Sequence, residues 1–359
     1  MTRKANLSTA GPRCQRRLQA LAATVAAAGL LGCGGGGGAS SPAHGTDVYV
    51  AGSVTADGGA SLATYWVNGS RTPLAVLRSE ANAIAVAGAD VYVAGWQVDG
   101  SGISQPTVWK NRIATILGQG AGGTANGVAV GADGKVYVVG TLGADASRKA
   151  ALWVDGQAVA LEGGADPSSG HAIALSGSDV IVAGELGDQA CYWKNGVSFA
   201  LSAPAAWPAN TSVALAVVTE GVNAYFAGEG TRSTPLGSVT EALGWDNGTG
   251  FAVSSIDFED TYGDAITCAN ATIYRGGMDD GRPTLWYNHD PNGTRLGDGQ
   301  NGRIKALTAS STYRVYGAGY YHDEGGRDQG GVFGPDGLIK LSVPANSSSN
   351  AQALALAEH

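Results

Sequence analysis

Carboxylates and aromatic rings gather in a few connections of this chain, and they set the chemistry open to it. Trp96, Asp99, Asp188, Trp207, Glu229, Asp279, Asp280, Tyr321, His322, Asp323 and Asp328 all fall beside or between short apolar phrases. Carboxylates on loops accept hydrogen bonds and attract cations, so they suit a cation, a basic partner or a polar glycan. Rings beside carboxylates add the stacking surface that sugar binding uses. The same carboxylates could act as acid and base in a glycan lyase or hydrolase. Signatures of other chemistry are missing. The five histidines, His44, His171, His289, His322 and His359, form no metal-spaced pair, and there is no HxxxH or CxxC. No GxSxG, P-loop or EF-hand loop occurs. No catalytic residue is assigned and no cofactor is expected; a cation such as calcium is the one ion acidic loops could hold.

The elements that must position these residues are repeats. The phrase Asp47-Val48-Tyr49-Val50-Ala51-Gly52 returns in copies that start at Asp90, Lys135, Asp179, Asn223, Thr272 and Arg314. Successive spacings are 43, 45, 44, 44, 49 and 42 residues. Each unit carries four strand signals. The first is small-sided, as in Ala83-Ile84-Ala85-Val86, and the second is the Val-Tyr-Val phrase. The third ends in an aromatic, as in Tyr65-Trp66, Val108-Trp109 and Val332-Phe333. The fourth is a brief apolar run ending near Leu161 or Leu341. Asn68-Gly69, Asp155-Gly156, Asn195-Gly196, Asn247-Gly248, Asn292-Gly293 and Asp336-Gly337 stand between strands three and four. Such pairs favour tight hairpins that need positive φ, so those strands should pair antiparallel. Six of eight tryptophans share the third-strand register, which predicts anchors packed between units.

Four antiparallel strands in about 45 residues is the period of a β-propeller blade. Seven copies predict an all-β, seven-bladed β-propeller. The first copy lacks the small-sided strand before it, and Ala353-Leu354-Ala355-Leu356 stands alone at the other end. That strand should pair with Val48–Ala51 and close the ring, removing two exposed edges. In such a ring the second-to-third loops and the blade-to-blade loops share a face. The acidic groups, including Glu185, Glu229 and Asp264, are expected on loops of that face. Trp96, Trp207 and Tyr320-Tyr321-His322 supply its loop aromatics.

Val180-Ile181-Val182-Ala183-Gly184 and Tyr192-Trp193-Lys194-Asn195-Gly196 through Leu201 resemble bacterial extracellular repeats of the HAF type. The resemblance spans most of residues 47–359 and implies no catalytic residues. The His-Ala-Phe signature itself is absent, as are WD and Kelch signatures.

The N-terminus reads as a targeting segment. Arg3, Lys4, Arg13, Arg16 and Arg17 precede an apolar stretch from Leu18 to Leu31, too short for a confident span. Leu30-Leu31-Gly32-Cys33 resembles a bacterial lipobox. That resemblance implies a signal peptide over residues 1–32, lipidation of Cys33, and a Gly/Ser-rich tether over 33–46 before the propeller at 47–359. It also implies a membrane-anchored envelope protein, with Gly34 favouring the outer membrane. Without the signal the chain holds 17 Lys/Arg (22 − 5) against 30 Asp/Glu, a formal charge of −13. That excess argues against nucleic acid. Cys191 and Cys268 fall in different strand types of non-adjacent units, so no bond between them is expected. The leading expectation is a monomeric, lipid-anchored, non-catalytic binding or scaffold module for a protein or glycan ligand. The alternatives are a glycan-active enzyme using loop carboxylates and a partner in outer-membrane assembly.

Overall fold

The computed structural model describes residues 45–118, 120–204, 211–235, 237–253, 260–296, 301–334 and 337–358. The signal segment, Cys33 and Trp207 lie outside them. Among the described residues, 28 strands form seven four-stranded sheets. Each sheet is one blade. In blades two to seven the strands run in chain order from the inside outwards. Their inner strands are Ser79–Ala87, Gly123–Val130, Ser168–Ser176, Thr211–Glu220, Thr261–Ala269 and Gly302–Ala309. Blade one takes its inner strand, Ser347–Glu358, from the far end of the chain. Each inner strand packs against the next and the last against the first, so all seven surround one axis.

The ring closes as the split repeat predicts. Val48 pairs with Leu356, Tyr49 with Ala355, Val50 with Leu354 and Ala51 with Ala353. Pairing continues from Thr46–Glu358 to Ala56–Ser347, well beyond the four residues the apolar pattern marks. Leu354 and Ala355 are buried there against neighbouring blades.

Local chemistry explains the recurring phrase. The turn residues Asn68, Asn111, Asp155, Asn195, Asn247 and Asn288 all have φ between 48° and 53°, where Asn and Asp are tolerated. Each side-chain oxygen accepts the N–H of a second-strand residue: Val48, Val91, Val136, Val180, Ala224 and Ile273 respectively. Asn68, Asn111 and Asn195 also donate to Asp47, Asp90 and Asp179. The aspartate that opens the phrase therefore locks the turn residue that caps it. In blade six this work falls to Asn288. Asn292-Gly293, expected as that turn, instead lies in the approach to the outer strand Thr294–Arg295. Cys191 and Cys268 are free, on the third strand of blade four and the inner strand of blade six. Burial pushes their thiols up to about 12 and about 11, which leaves them inert.

Blades are joined by large and small contacts. Trp66, Trp109, Trp153, Trp193, Trp245 and Trp286 are each at most 1% exposed. Trp66 packs with Val332 and Leu341 of blade seven and donates to the Ser342 carbonyl at 2.8 Å. Trp245 packs with Ile181 and Ala190 of blade four and donates to the Ser202 carbonyl at 2.8 Å. Near the start of five inner strands a hydroxyl accepts a backbone N–H from the preceding blade. The pairs are Ser79 with Ala63, Ser168 with Ala150, Ser212 with Ala190, Thr261 with Ala242, and Ser349 with Gly330.

Candidate functional site at the channel mouth

The inner strands begin several residues before the apolar runs that announce them, and each breaks register once. The breaks fall between Ala81 and Ala83, Ala125 and Gly127, Gly170 and Ala172, and Ala214 and Ala216. They recur between Gly263 and Ala265, Ile304 and Ala306, and Ala351 and Ala353. Every blade thus carries a one-residue bulge at the same height. The extra residues are Asn82, Asn126, His171, Leu215, Asp264, Lys305 and Gln352. A bulge leaves its residue out of the ladder and re-aims the side chain. The residue before each one is buried, yet all except Asp264 remain partly exposed. All seven sit on the innermost strands, around the axis. The bulges lie near the strand starts, the end at which the second-to-third hairpins also stand.

This ring has two kinds of arc. On one side Asn82 donates to the Ala125 carbonyl at 3.0 Å and to Asn126 at 3.4 Å, and Asn126 donates to the Gly170 carbonyl at 2.8 Å. His171 follows, its Nε2 atom shielded and without a hydrogen-bond partner. On the other side lies a charged network. Arg303 grips Asp264 through two nitrogens and reaches Glu229, two blades away, at 3.3 Å. Lys305 reaches Asp264 at 3.0 Å. The Arg303 guanidinium lies 4.0 Å over the ring of Tyr262. Arg148 pairs with Glu185 at 3.0 Å beside His171, within the first arc. Burial pushes the Glu229 carboxyl up against the opposing pull of Arg303. For Arg303 the bonds and charge of Asp264 and Glu229 outweigh a larger burial effect, and its proton is held more tightly.

Two depressions open beside this network. One, of about 290 Å³, is lined by Glu185, Asp188, Thr211, Ser212, Glu229, Thr231 and Thr240. The second, of about 440 Å³, is lined by Asp260, Tyr262, Met278 and Asp280.

The structure sorts the residues expected on this face. Glu185, Glu229 and Asp264 sit on strands rather than loops. Asp279 ends a strand and Asp328 begins one. Trp96 is also a strand residue, paired with Glu80, and the Arg78 guanidinium stacks 5.3 Å from its ring. Tyr320, Tyr321 and His322 finish the second strand of blade seven rather than starting a loop. Tyr321 is 6% exposed and packs with Ile304 and Phe333, so it belongs to the core. Asp99 accepts the N–H groups of Ser101 and Ile103 and the Gln105 amide, closing its own hairpin. Asp323 does the same with Gly325, Arg327 and Gln329. These bonds hold both carboxyls below their ordinary range. Asp279 and Asp280 face Arg295 at 3.4 and 3.7 Å, and His322 lies 3.5 Å from Asp328. Asp188, Glu229 and Asp280 line the depressions. Asn126, His171, Arg148, Arg303 and Lys305 escaped the sequence reading, because their register shows only when the seven inner strands are aligned on their bulges.

His171 provides a pH test. Burial lowers its affinity for protons, Glu185 opposes this, and Arg148 adds to it. A histidine held neutral stabilises the fold fully above its ordinary value of 6.5, and that stability declines as pH falls through it. Measured by urea unfolding, the wild type should lose stability relative to His171→Gln between about pH 7.5 and about pH 5.5. Parallel stability curves would contradict the burial of this imidazole.

No protein family and no curated relative matches the chain. Solved structures do. The β-propeller domain of the Trilobed protease from Pyrococcus furiosus is 12% identical, over 83% of this chain and 93% of that one, with a TM-score of 0.49. The extracellular domain of a one-component system from B. thetaiotaomicron is 10% identical over 83% of this chain, with a TM-score of 0.45. A puromycin-hydrolyzing peptidase of Mycobacterium tuberculosis is 14% identical over 74% of this chain, with a TM-score of 0.47. This chain spans 45% and 46% of those last two. Likeness at this level carries no functional argument, and the fold rests on the strand order described above.

Proposed function

We propose that this protein is a non-catalytic binding module that holds its ligand at the channel mouth, tethered to the cell envelope through lipid on Cys33. The observation that carries the binding role is the bulge ring. Seven separate strands each spend one residue outside the ladder to present a side chain at one height. Such a rigid constellation on strands suits recognition. The carboxylates nearest the ring are engaged by Arg148, Arg303 and Lys305, which leaves them poorly placed to exchange protons. The envelope location rests on the basic, apolar and Gly/Ser-rich N-terminal segments. No helix of the described residues is long and apolar enough to cross a membrane.

One observation favours an enzyme instead. The raised Glu229 carboxyl, beside a depression, is the equipment of a general acid for glycan cleavage. The soluble domain from Ala39 onward separates the readings. Incubated with oligosaccharides and followed by chromatography, it should leave them intact while retaining a ligand in pull-down or array screens. Cleavage that Glu229→Gln abolishes would overturn the binding-module reading.

A further inference from the structure

We infer that the face opposite the channel mouth rests on the anchoring bilayer, so that the mouth is presented to the aqueous side. The inference rests on the lipid tether of the proposed function and adds the surface that meets the membrane. The path of the chain comes first. The inner strands start at the mouth and end at the opposite face. Thr46, which opens the second strand of blade one, pairs with Glu358, the last residue of an inner strand. The chain therefore enters the propeller at the face away from the mouth. Gly45 stands 12 positions after Cys33 (45 − 33), a reach of about 40 Å at full extension. Turning the mouth to the bilayer would carry that tether outwards past two strands, about 10 Å. It would then climb the height of a blade, about 30 Å for inner strands of 8 or 9 residues. Those two distances use the whole reach, whereas the opposite face meets the bilayer with slack to spare.

The exposed side chains come second. Val222, 97% exposed, and Tyr313, 60% exposed, stand in turns between first and second strands, on the face where the chain enters. Tyr313 has a φ of 63°, uncommon for a bulky side chain. Its turn is fastened to the entry point, since the Ser311 N–H donates to the Glu358 carboxylate at 2.8 Å. Exposure alone does not choose this face, because Val76, Leu77 and Ile103 are exposed at the mouth; the entry point of the chain does. A tyrosine, apolar in its ring and polar at its tip, suits the headgroup layer of a bilayer. Charge sets the kind of lipid. Lys110, Lys135 and Lys194 of this face are already paired with Asp90, Asp133 and Asp179. Glu220, two residues before Val222, is exposed. The face thus suits zwitterionic headgroups rather than anionic ones.

The test uses the lipidated full chain in phosphatidylcholine vesicles that contain a nitroxide-headgroup lipid. A fluorophore is placed on Ser178→Cys, in a turn of the membrane face, or on Ser101→Cys, in a hairpin of the mouth. Cys191 and Cys268 stay unlabelled because burial holds their thiols protonated. The nitroxide should quench the label at 178 and leave the label at 101 unchanged. Val222→Ser combined with Tyr313→Asn, which keeps a residue tolerant of positive φ, should reduce quenching at 178 at least about threefold as two apolar side chains stop contributing. Equal quenching at both positions, none at 178 on a chain that floats with the vesicles, or quenching undiminished in the double variant would overturn the inference and leave the lipid tether standing. A full chain that carries no lipid by mass spectrometry and stays off the vesicles would sink the tether and the inference together.

Discussion

Deletion of residues 350–359 is expected to abolish the cooperative unfolding transition of the domain. The segment includes most of the inner strand of blade one, whose pairing with Thr46–Ala56 is the only backbone ladder joining the two chain ends among the described residues. Its loss removes buried Ala351, Ala353, Leu354, Ala355 and Ala357. Leu354 alone contributes about 2 kcal/mol by burial, and each lost backbone hydrogen bond about 1 kcal/mol. Those losses rival the whole stability of a domain, about 5–15 kcal/mol. The deletion also leaves Val48–Ala51 as an open edge, which invites aggregation. Circular dichroism against temperature checks this. A melting point within about 2 °C of the parent would show that the ring does not depend on its closing strand.

The second large effect concerns a buried charge. Arg275 is 1% exposed, at the register that Val50, Val93 and Val182 fill in other blades. Its guanidinium donates to Asp246 at 2.6 Å and to the carbonyls of Phe226 and Asn288, joining blades five and six. Phe251 stacks on it at 4.8 Å. Burial weakens its hold on the proton, and Asp246 resists that. Asp246→Ala leaves the cation buried without its carboxylate and should cost about 3–5 kcal/mol. Adding Arg275→Met should restore most of the loss, since an apolar side chain suits the site in the sister blades. Urea unfolding of the two variants checks this. A loss below about 1 kcal/mol for Asp246→Ala, or no recovery in the double variant, would contradict the account.

The residues that repeat were the legible ones. The Trp66 to Trp286 series, the Asn68-type turns and the Ala353–Leu356 strand all announce themselves because packing demands the same residue at the same place in each blade. Asn292-Gly293 offers a stronger local turn signal than Asn288, and the tertiary bond to Ile273 decides between them. The site was less legible for a physical reason. Bulge residues differ from blade to blade, because packing fixes the position of the bulge and not the residue that fills it. Asn82, His171 and Lys305 share no type, only a position. That position was nevertheless marked: a hydroxyl or glycine stands three residues earlier, at Ser79, Gly123, Ser168, Ser212, Thr261, Gly302 and Ser349. Glu229 and Asp264 look like loop acids because the strand segments on either side of them are polar or glycine-rich. Tyr321 resembled a binding aromatic, but strand alternation turns it inward, between Tyr320 and His322.

The central claim is that a ligand enters the channel mouth and meets the bulge ring. The few histidines report on it directly. His171 lies in the ring, His322 on the rim, and His289 is bound to Asp246 beside the Arg275 pair, away from the ring. The soluble domain from Ala39 onward, labelled with ¹⁵N-histidine, can be titrated with the methyl glycosides of glucose, galactose, mannose and N-acetylglucosamine. The His171 imidazole resonances, assigned through His171→Gln, should shift and saturate with at least one glycoside while those of His289 stay fixed. A His171 signal unmoved by all four, or saturating shifts at His289 or His322 alone, would contradict the claim.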